Sequence, residues 1–367
     1  MALQEGIEQN FRFLVLEVGR QLDDAERVLD APTAELVESV YSSDDYIDNL
    51  KGIIEGKCFT FTLESRGDKR RIDLLKAVDV ATANLERIAD FAVNIVGQSR
   101  YLSDPAFIRR FDYSAHFREV RAAVALVFEA LFERNITLAL KICEAEYRLD
   151  DLFAADFQRV MEGLKAGVEV ENHVTTLFIL RYFERMGDSL LNIGEAIISA
   201  AMGERLKIHQ FQALEESLEA VDDEADLEDF AFESMGETRS GCRIARLAPR
   251  EKGVGDTLIF KEGNLKKLER ERRNLERWNE LEPGLPPKVL AFHEHGGNAS
   301  LLMEYLEGET LQDIALRGSD ETVRGAMQAL TSTLGALWTK TRRAGALRRA
   351  FVRQTRKRLS DVYAVHP

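Results

Sequence analysis

Glu86, Asp90 and Asn94 stand at i, i+4 and i+8, and Glu184, Asp188 and Asn192 repeat the same spacing. On a helix each set forms one stripe, because residues four apart stack on a single face. Two carboxylates one turn apart repel by a few tenths of a kcal/mol. A cation held between them turns that repulsion into attraction. All-oxygen donors suit hard or borderline cations, such as Mg²⁺, Mn²⁺ and iron. Two carboxylates leave a divalent ion mostly hydrated, so further ligands are expected from the preceding helices, with Asp48 and Asp150 the leading candidates. The plainer alternative is a solvated, charged helix face with Arg87 and Arg185 in salt bridges. Recurrence of the pattern at matched positions argues for the metal.

The elements that must carry these stripes are helices. From residue 3 to about 204 prolines are nearly absent, with only Pro32 and Pro105. The series Leu74, Val78, Ala81, Leu85, Ile88, Ala92, Ile95 steps 4-3-4-3-4-3, the seam of a helix packed nearly antiparallel in a bundle. Breaks at DAPTA, SRGDK, SDPAFIRRFDY and ERNI divide the region into six helices, near 3–30, 34–57, 69–101, 114–134, 136–165 and 168–202. ANLERIADFAVNI at 83–95 aligns with YFERMGDSLLNI at 182–193 at an offset of 98, and SDDYIDNL at 43–50 aligns more weakly with AEYRLDDL at 145–152 at an offset of 102. One three-helix unit is therefore used twice, in repeats 1–102 and 113–204. Two tandem bundles packed side by side are expected.

LERIADFAVNI and FERMGDSLLNI carry a resemblance to the repeated E/D-xxx-D motif of the PhoU family of phosphate-uptake regulators. It covers residues 1 to about 205, duplication included. The resemblance implies metal sites on the third helix of each bundle, with Glu86, Asp90, Glu184 and Asp188 as ligands to iron, manganese, magnesium or zinc. It also implies a phosphate ABC transporter and a sensor histidine kinase as partners, with self-association into a homo-oligomer left open. Two departures stand out. Asn84 replaces the aspartate of many members and lowers the ligand charge of the first site, and Phe183 replaces a leucine.

Beyond residue 205 the character changes. LEESLEAVDDEADLED at 214–229 holds nine acidic residues and no basic one, so 205–229 reads as a solvated linker or linker helix. Residues 230–367 then read as α+β: strands in FAFESM, RIARLA and TLIFKE, a charged helix at 264–281, strands near 288–292 and 300–305, and helices to the end. This half resembles the aminoglycoside phosphotransferase family of small-molecule kinases. GETRSGCRIARL would be the hairpin over the phosphates. Lys261 on the third strand would reach them, Glu271 on the next helix would pair with Lys261, and the backbone from Met303 to Tyr305 would bond adenine. No HGDLHxxN-like loop with its Asp base follows, nor a later Asp for Mg²⁺, so the C-lobe is expected to be incomplete. Phosphoryl transfer is not expected, and ATP binding should be weak or absent. Fragment, split gene and decayed fusion all remain open.

Other signals set bounds. The chain of 367 residues carries 63 acidic against 49 basic residues, a net charge of −14 that argues against general nucleic-acid binding. Three dispersed cysteines without CxxC spacing give no disulfide framework. MALQEGIEQN has neither a basic n-region nor an apolar h-region, so no signal peptide is expected, and no apolar run approaches the ~20 residues of a membrane span. A soluble cytoplasmic protein is expected, drawn to the inner membrane face only by partners. His293 and His295 read as a surface turn rather than zinc ligands, His116 as isolated and His173 as a core or interface histidine. The basic run 341–359 reads as a solvated helix face. No nucleophilic triad stands out. The sequence thus sets two functions against each other: a metal- and partner-binding regulator, and a fragment of a small-molecule kinase carrying a helical head.

Overall fold

The computed structural model describes residues 2–65, 67–203, 208–219, 230–237, 242–249, 256–295 and 297–342, with 355–356 and 358–359. The chain forms two compact units, Met1–Arg272 with Val289–Tyr305, and Arg273–Lys288 with Leu306–Pro367.

In the first unit six long helices follow the breaks in the sequence: α1 (Ala2–Asp30), α2 (Ala34–Glu64), α3 (Lys69–Ser99), α4 (Tyr113–Phe132), α5 (Ile136–Ala166) and α6 (Val170–Met202). Each break supplies its own start signal. Thr33, Asp68, Asp112 and Asn135 accept hydrogen bonds from the backbone amides of Leu36, Arg71, Ala115 and Leu138, satisfying donors that a helix start otherwise leaves bare. The predicted α3 seam is the buried face: Val78, Ala81, Leu85, Ile88, Ala92 and Ile95 are all at most 1% exposed.

Helix α2 runs seven residues past the expected end at 57, to Glu64. The aromatic and β-branched run FTFT disfavours helix locally, yet buried Cys58 and Phe61 anchor it to the core. A second difference concerns the two bundles. One continuous hydrophobic core runs through both repeats rather than one core in each. The junction is α3 against α6, where Phe91 stacks on Tyr182 with ring centroids 6.1 Å apart.

The expected solvated linker is partly a packed helix. In α7 (Ile208–Glu219), Ile208, Phe211, Leu214 and Leu218 are buried at helical spacing, and the Ser217 hydroxyl lies 3.1 Å from that of Ser300. Acidic composition masked this apolar face. Residues 220–229 lie outside the described residues.

The sheet comprises β1 (Phe230–Glu237), β2 (Arg243–Pro249), β3 (Leu258–Asn264), β4 (Val289–His295) and β5 (Asn298–Glu304), antiparallel throughout, in the order β1-β2-β3-β5-β4. Between β3 and β4 the chain forms α8 (Leu265–Leu281), whose Leu268 packs with Cys242 and Ala299. Strand alternation gives the sheet two faces. Phe260 and Leu302 join the large core, while Lys261 lies on the face of β3 opposite Phe260. His293 and His295 fall within β4 rather than on a turn.

The second unit holds the C-terminal part of α8 with α9 (Leu311–Arg317) and α10 (Asp320–Thr341). Among its described residues only Leu337 is a buried hydrophobic. The basic run 341–359 lies mostly outside the described residues.

Candidate functional site

Helices α2 and α3 place four carboxylates near one another, Asp44, Asp48, Glu86 and Asp90. Helices α5 and α6 do the same with Glu146, Asp150, Glu184 and Asp188. The six carboxylates singled out from the sequence lie in these two groups, near enough to influence one another electrostatically. Asp44 and Glu146 were not anticipated, although they match each other at the 102-residue offset in SDDYIDNL and AEYRLDDL.

The second group shows the strain of its own charge. Burial raises the Glu146 carboxyl above the usual range, and the charges of Asp150, Asp188 and Glu184 raise it further. Burial also raises Asp150, with Asp188 adding to it and Arg181 opposing. Glu184 is raised by burial, against the pull of Arg181 and with the push of Asp188 and Asp150. Arg181, one turn earlier on α6, pairs with Glu184 Oε1 and is 52% exposed. Glu184 Oε2 and Glu146 Oε2 are buried without a hydrogen-bond partner. An unbonded, buried carboxylate oxygen costs free energy unless a cation or proton reaches it. Gly187 lies between Glu184 and Asp188 on α6, where a Cβ would come into ordinary contact with Glu146 Cα and Leu149.

The first group differs. Burial raises Asp44, while a hydrogen bond from Gln21 lowers it and Asp48, Asp45 and Glu86 raise it. Asp90 is raised by burial, then by Asp44 and Asp48, with Lys51 and Arg87 opposing. The Lys51 ammonium stands 2.9 Å from Glu86 Oε1, with the two side chains 28% and 14% exposed. That hydrogen bond to Glu86 is the main cause holding the Lys51 pKa above its ordinary value. None of the four carboxylates in this group has a buried oxygen left unbonded.

Among the described residues, no three His, Cys, Asp or Glu side chains converge as they stand to hold a metal ion. The donor set nonetheless suits a hard cation: all oxygen, drawn from two adjacent helices, partly open to solvent, and in the second group with two orphaned oxygens. Asn84 does not belong to the first group. It is buried on the α3–α6 seam, where Asn192 donates to its side-chain oxygen at 3.4 Å, so it does not set the ligand charge there. Arg185 lies over the Phe91 ring at 5.4 Å rather than pairing with the stripe.

On the sheet, Lys261 Nζ lies 2.7 Å from both carboxylate oxygens of Glu271. Met303 is paired on both sides within the sheet, with Ile259 and Val289. The Tyr305 amide donates to the Thr257 carbonyl at 3.3 Å, and Arg246 covers the Tyr305 ring at 4.7 Å. The adenine-binding amide expected at Tyr305 is therefore already engaged.

Other reactive groups are quiet. Burial pushes the Cys58 and Cys143 thiols up to about 12, so neither offers a thiolate near neutral pH. His116 is fully buried and its pKa is pushed down by that burial, against the hydrogen bond its Nδ1 donates to the Asp112 carbonyl and the charge of Asp156. His173 is buried edge-on to Phe107, a core histidine as expected.

Residues 14–98 and 116–197 match the PhoU domain, one match in each three-helix repeat. Each of the two three-helix repeats is thus similar to the PhoU domain. A phosphate-specific transport system accessory protein PhoU homolog from Thermotoga maritima is 25% identical over 195 residues, covering 52% of this chain and 83% of the relative. The homolog from Aquifex aeolicus is 26% identical over 210 residues, covering 57% of this chain and 94% of its own length. The crystal structure of PhoU from Pseudomonas aeruginosa superposes with a TM-score of 0.49 at 19% identity, over 55% of this chain and 98% of that one. Among the described residues, no helix is long and apolar enough to cross a membrane.

Proposed function

We propose that this protein is an accessory regulator of phosphate-specific transport that works through metal held on its duplicated helical half. The observation that carries the reading is the recurrence of one carboxylate group at the same place in both PhoU-matching repeats. Asp44, Asp48, Glu86 and Asp90 are the candidate ligands in one repeat, and Glu146, Asp150, Glu184 and Asp188 in the other, with iron, manganese, magnesium or zinc as the ion. A bound cation offsets much of the repulsion among four crowded carboxylates and would tie α2 to α3, or α5 to α6. The loaded surface then offers a rigid helical face to a partner. A phosphate ABC transporter is the first candidate, since the similar proteins are accessory to such systems by name. A sensor histidine kinase is the second. The test is phosphate uptake by cells of the source organism lacking this protein. Uptake in phosphate-rich medium should rise several-fold and return to normal with the wild-type chain. It should not return with Glu184→Gln combined with Asp188→Asn. Unchanged uptake on deletion would defeat the reading.

A second reading concerns residues 230–305. The strand order β1-β2-β3-β5-β4, the helix between β3 and β4, and the Lys261–Glu271 pair at 2.7 Å favour a kinase-like N-lobe. With the Tyr305 amide already held by the Thr257 carbonyl, this lobe would bind ATP weakly at most. Calorimetry with ATP and Mg²⁺ on the full chain should show no binding tighter than millimolar. Micromolar binding would restore the nucleotide site.

A further inference from the structure

The two carboxylate groups are copies of one design, yet they balance their charge differently. In the first repeat Lys51 places its ammonium on Glu86 at 2.9 Å, beside Asp48 and Glu55, and its charge also reaches Asp90. The 102-residue offset that matches Asp48 with Asp150 puts Phe153 opposite Lys51. Phe153 packs with Phe107, Phe111 and Val160 and brings no charge to the site. The second group's own cation is Arg181, whose counterpart at the 98-residue offset is Ala83. Arg181 pairs with Glu184 Oε1 from the solvent side, half exposed, and leaves Glu184 Oε2 and Glu146 Oε2 buried and unbonded.

On the metal reading above, we propose that the two centres are inequivalent: the group on α5 and α6 takes the metal, while Lys51 acts as a tethered cation that closes the group on α2 and α3. The physical basis is competition. A divalent ion entering the first group must displace an ammonium already covalently held at the site and hydrogen-bonded to a principal ligand. Removing that bond exposes a half-buried lysine as well as a carboxylate. Entry to the second group requires no such displacement of a buried partner, because an exposed guanidinium can swing into water at little cost. The same ion thus meets a half-buried, hydrogen-bonded ammonium in one repeat, and in the other an exposed guanidinium beside two unsatisfied oxygens.

Mn²⁺ titration of the full-length chain, followed by loss of the free-ion electron paramagnetic resonance signal, tests this. Wild type should show one class of tight sites. Glu184→Gln with Asp188→Asn should abolish that class, and Glu86→Gln with Asp90→Asn should leave it intact. Lys51→Met should add a second class, with Mn²⁺ affinity at the first group raised at least tenfold. Adding Glu86→Gln with Asp90→Asn to that variant should remove the new class again. Lys51→Gln serves as the second variant if the methionine chain fails to fold by far-ultraviolet circular dichroism. Equal loading of both groups in wild type, with no response to either Lys51 substitution, overturns the inequivalence while leaving metal binding in place. No Mn²⁺ bound by any chain, the Lys51 variants included, overturns the metal reading itself.

Discussion

Neutralising the two carboxylates with orphaned oxygens, Glu146→Gln together with Glu184→Gln, should stabilise the metal-free protein. Four carboxylates make about six like-charge pairs, and the double substitution removes all but the Asp150–Asp188 pair. At a few tenths of a kcal/mol for each partly exposed pair, the relief is roughly 1.5 kcal/mol. The loss is the Arg181–Glu184 ion pair, with Arg181 52% exposed, worth about 0.5 kcal/mol after solvent screening. The net expectation is about 1 kcal/mol in favour of the variant at pH 7 in chelator. The pH dependence has a definite sign. Glu146, Asp150 and Glu184 all have raised pKa values in the fold, so the folded state keeps protons that the unfolded chain has already lost. Wild-type stability therefore falls as pH rises through that window. The variant's advantage is full at neutral pH and shrinks as pH is lowered toward the ordinary carboxylate range. Saturating Mn²⁺ reverses the order, because binding at a hundred times Kd adds about 2.7 kcal/mol to wild type and nothing to the variant. Urea denaturation followed by helical ellipticity at pH 7 and pH 5, with chelator and with Mn²⁺, reads all of this. A variant less stable than wild type in chelator at pH 7, or an advantage that grows on acidification, would refute the reasoning.

Three further outcomes follow from local packing. Gly194→Ala should destabilise by about 1–2 kcal/mol. The new Cβ would sit 2.3 Å from Cys143 Sγ and 2.8 Å from the Ala139 carbonyl, overpacking that outweighs the ~1 kcal/mol gain in helix propensity. Gly19→Ala, with nothing within 4 Å, should instead gain up to about 1 kcal/mol; matched denaturation curves compare the two. Thr33→Ala removes the α2 cap to the Leu36 amide and should lower stability by about 1 kcal/mol in the same assay, with a serine at that position recovering most of it.

The helical half was legible because its signals agree at every level. The 4-3 seam of α3, the breaks and the 98-residue repeat all point to helices in two sets of three, and the buried face of α3 holds the seam from Val78 to Ile95, with Leu74 partly buried. The sequence failed where local composition opposed tertiary packing. In α2 the FTFT run argues for an end at 57, and only burial of Phe61 reveals the extension. In α7 the acidic residues concealed Phe211 and Leu214. Of the site, the ExxxD carboxylates were readable from spacing alone. Asp44 and Glu146 required trust in the weaker repeat. Lys51 was invisible as a partner of Glu86, because where α2 lies along α3 decides which turns of the two helices meet. The Lys261–Glu271 pair was readable, since strand alternation and helix order fix both residues on one side of the sheet. Engagement of the Tyr305 amide was not, since it depends on how the β5 end meets Thr257.

The central claim is that a hard cation sits on these carboxylates, and diffraction at the manganese absorption edge from crystals of the full chain grown with Mn²⁺ tests it most directly. An anomalous peak among Glu146, Asp150, Glu184 and Asp188, bonded to their side-chain oxygens, is the expected result. Well-ordered density for those four carboxylates with no anomalous peak among them would contradict it.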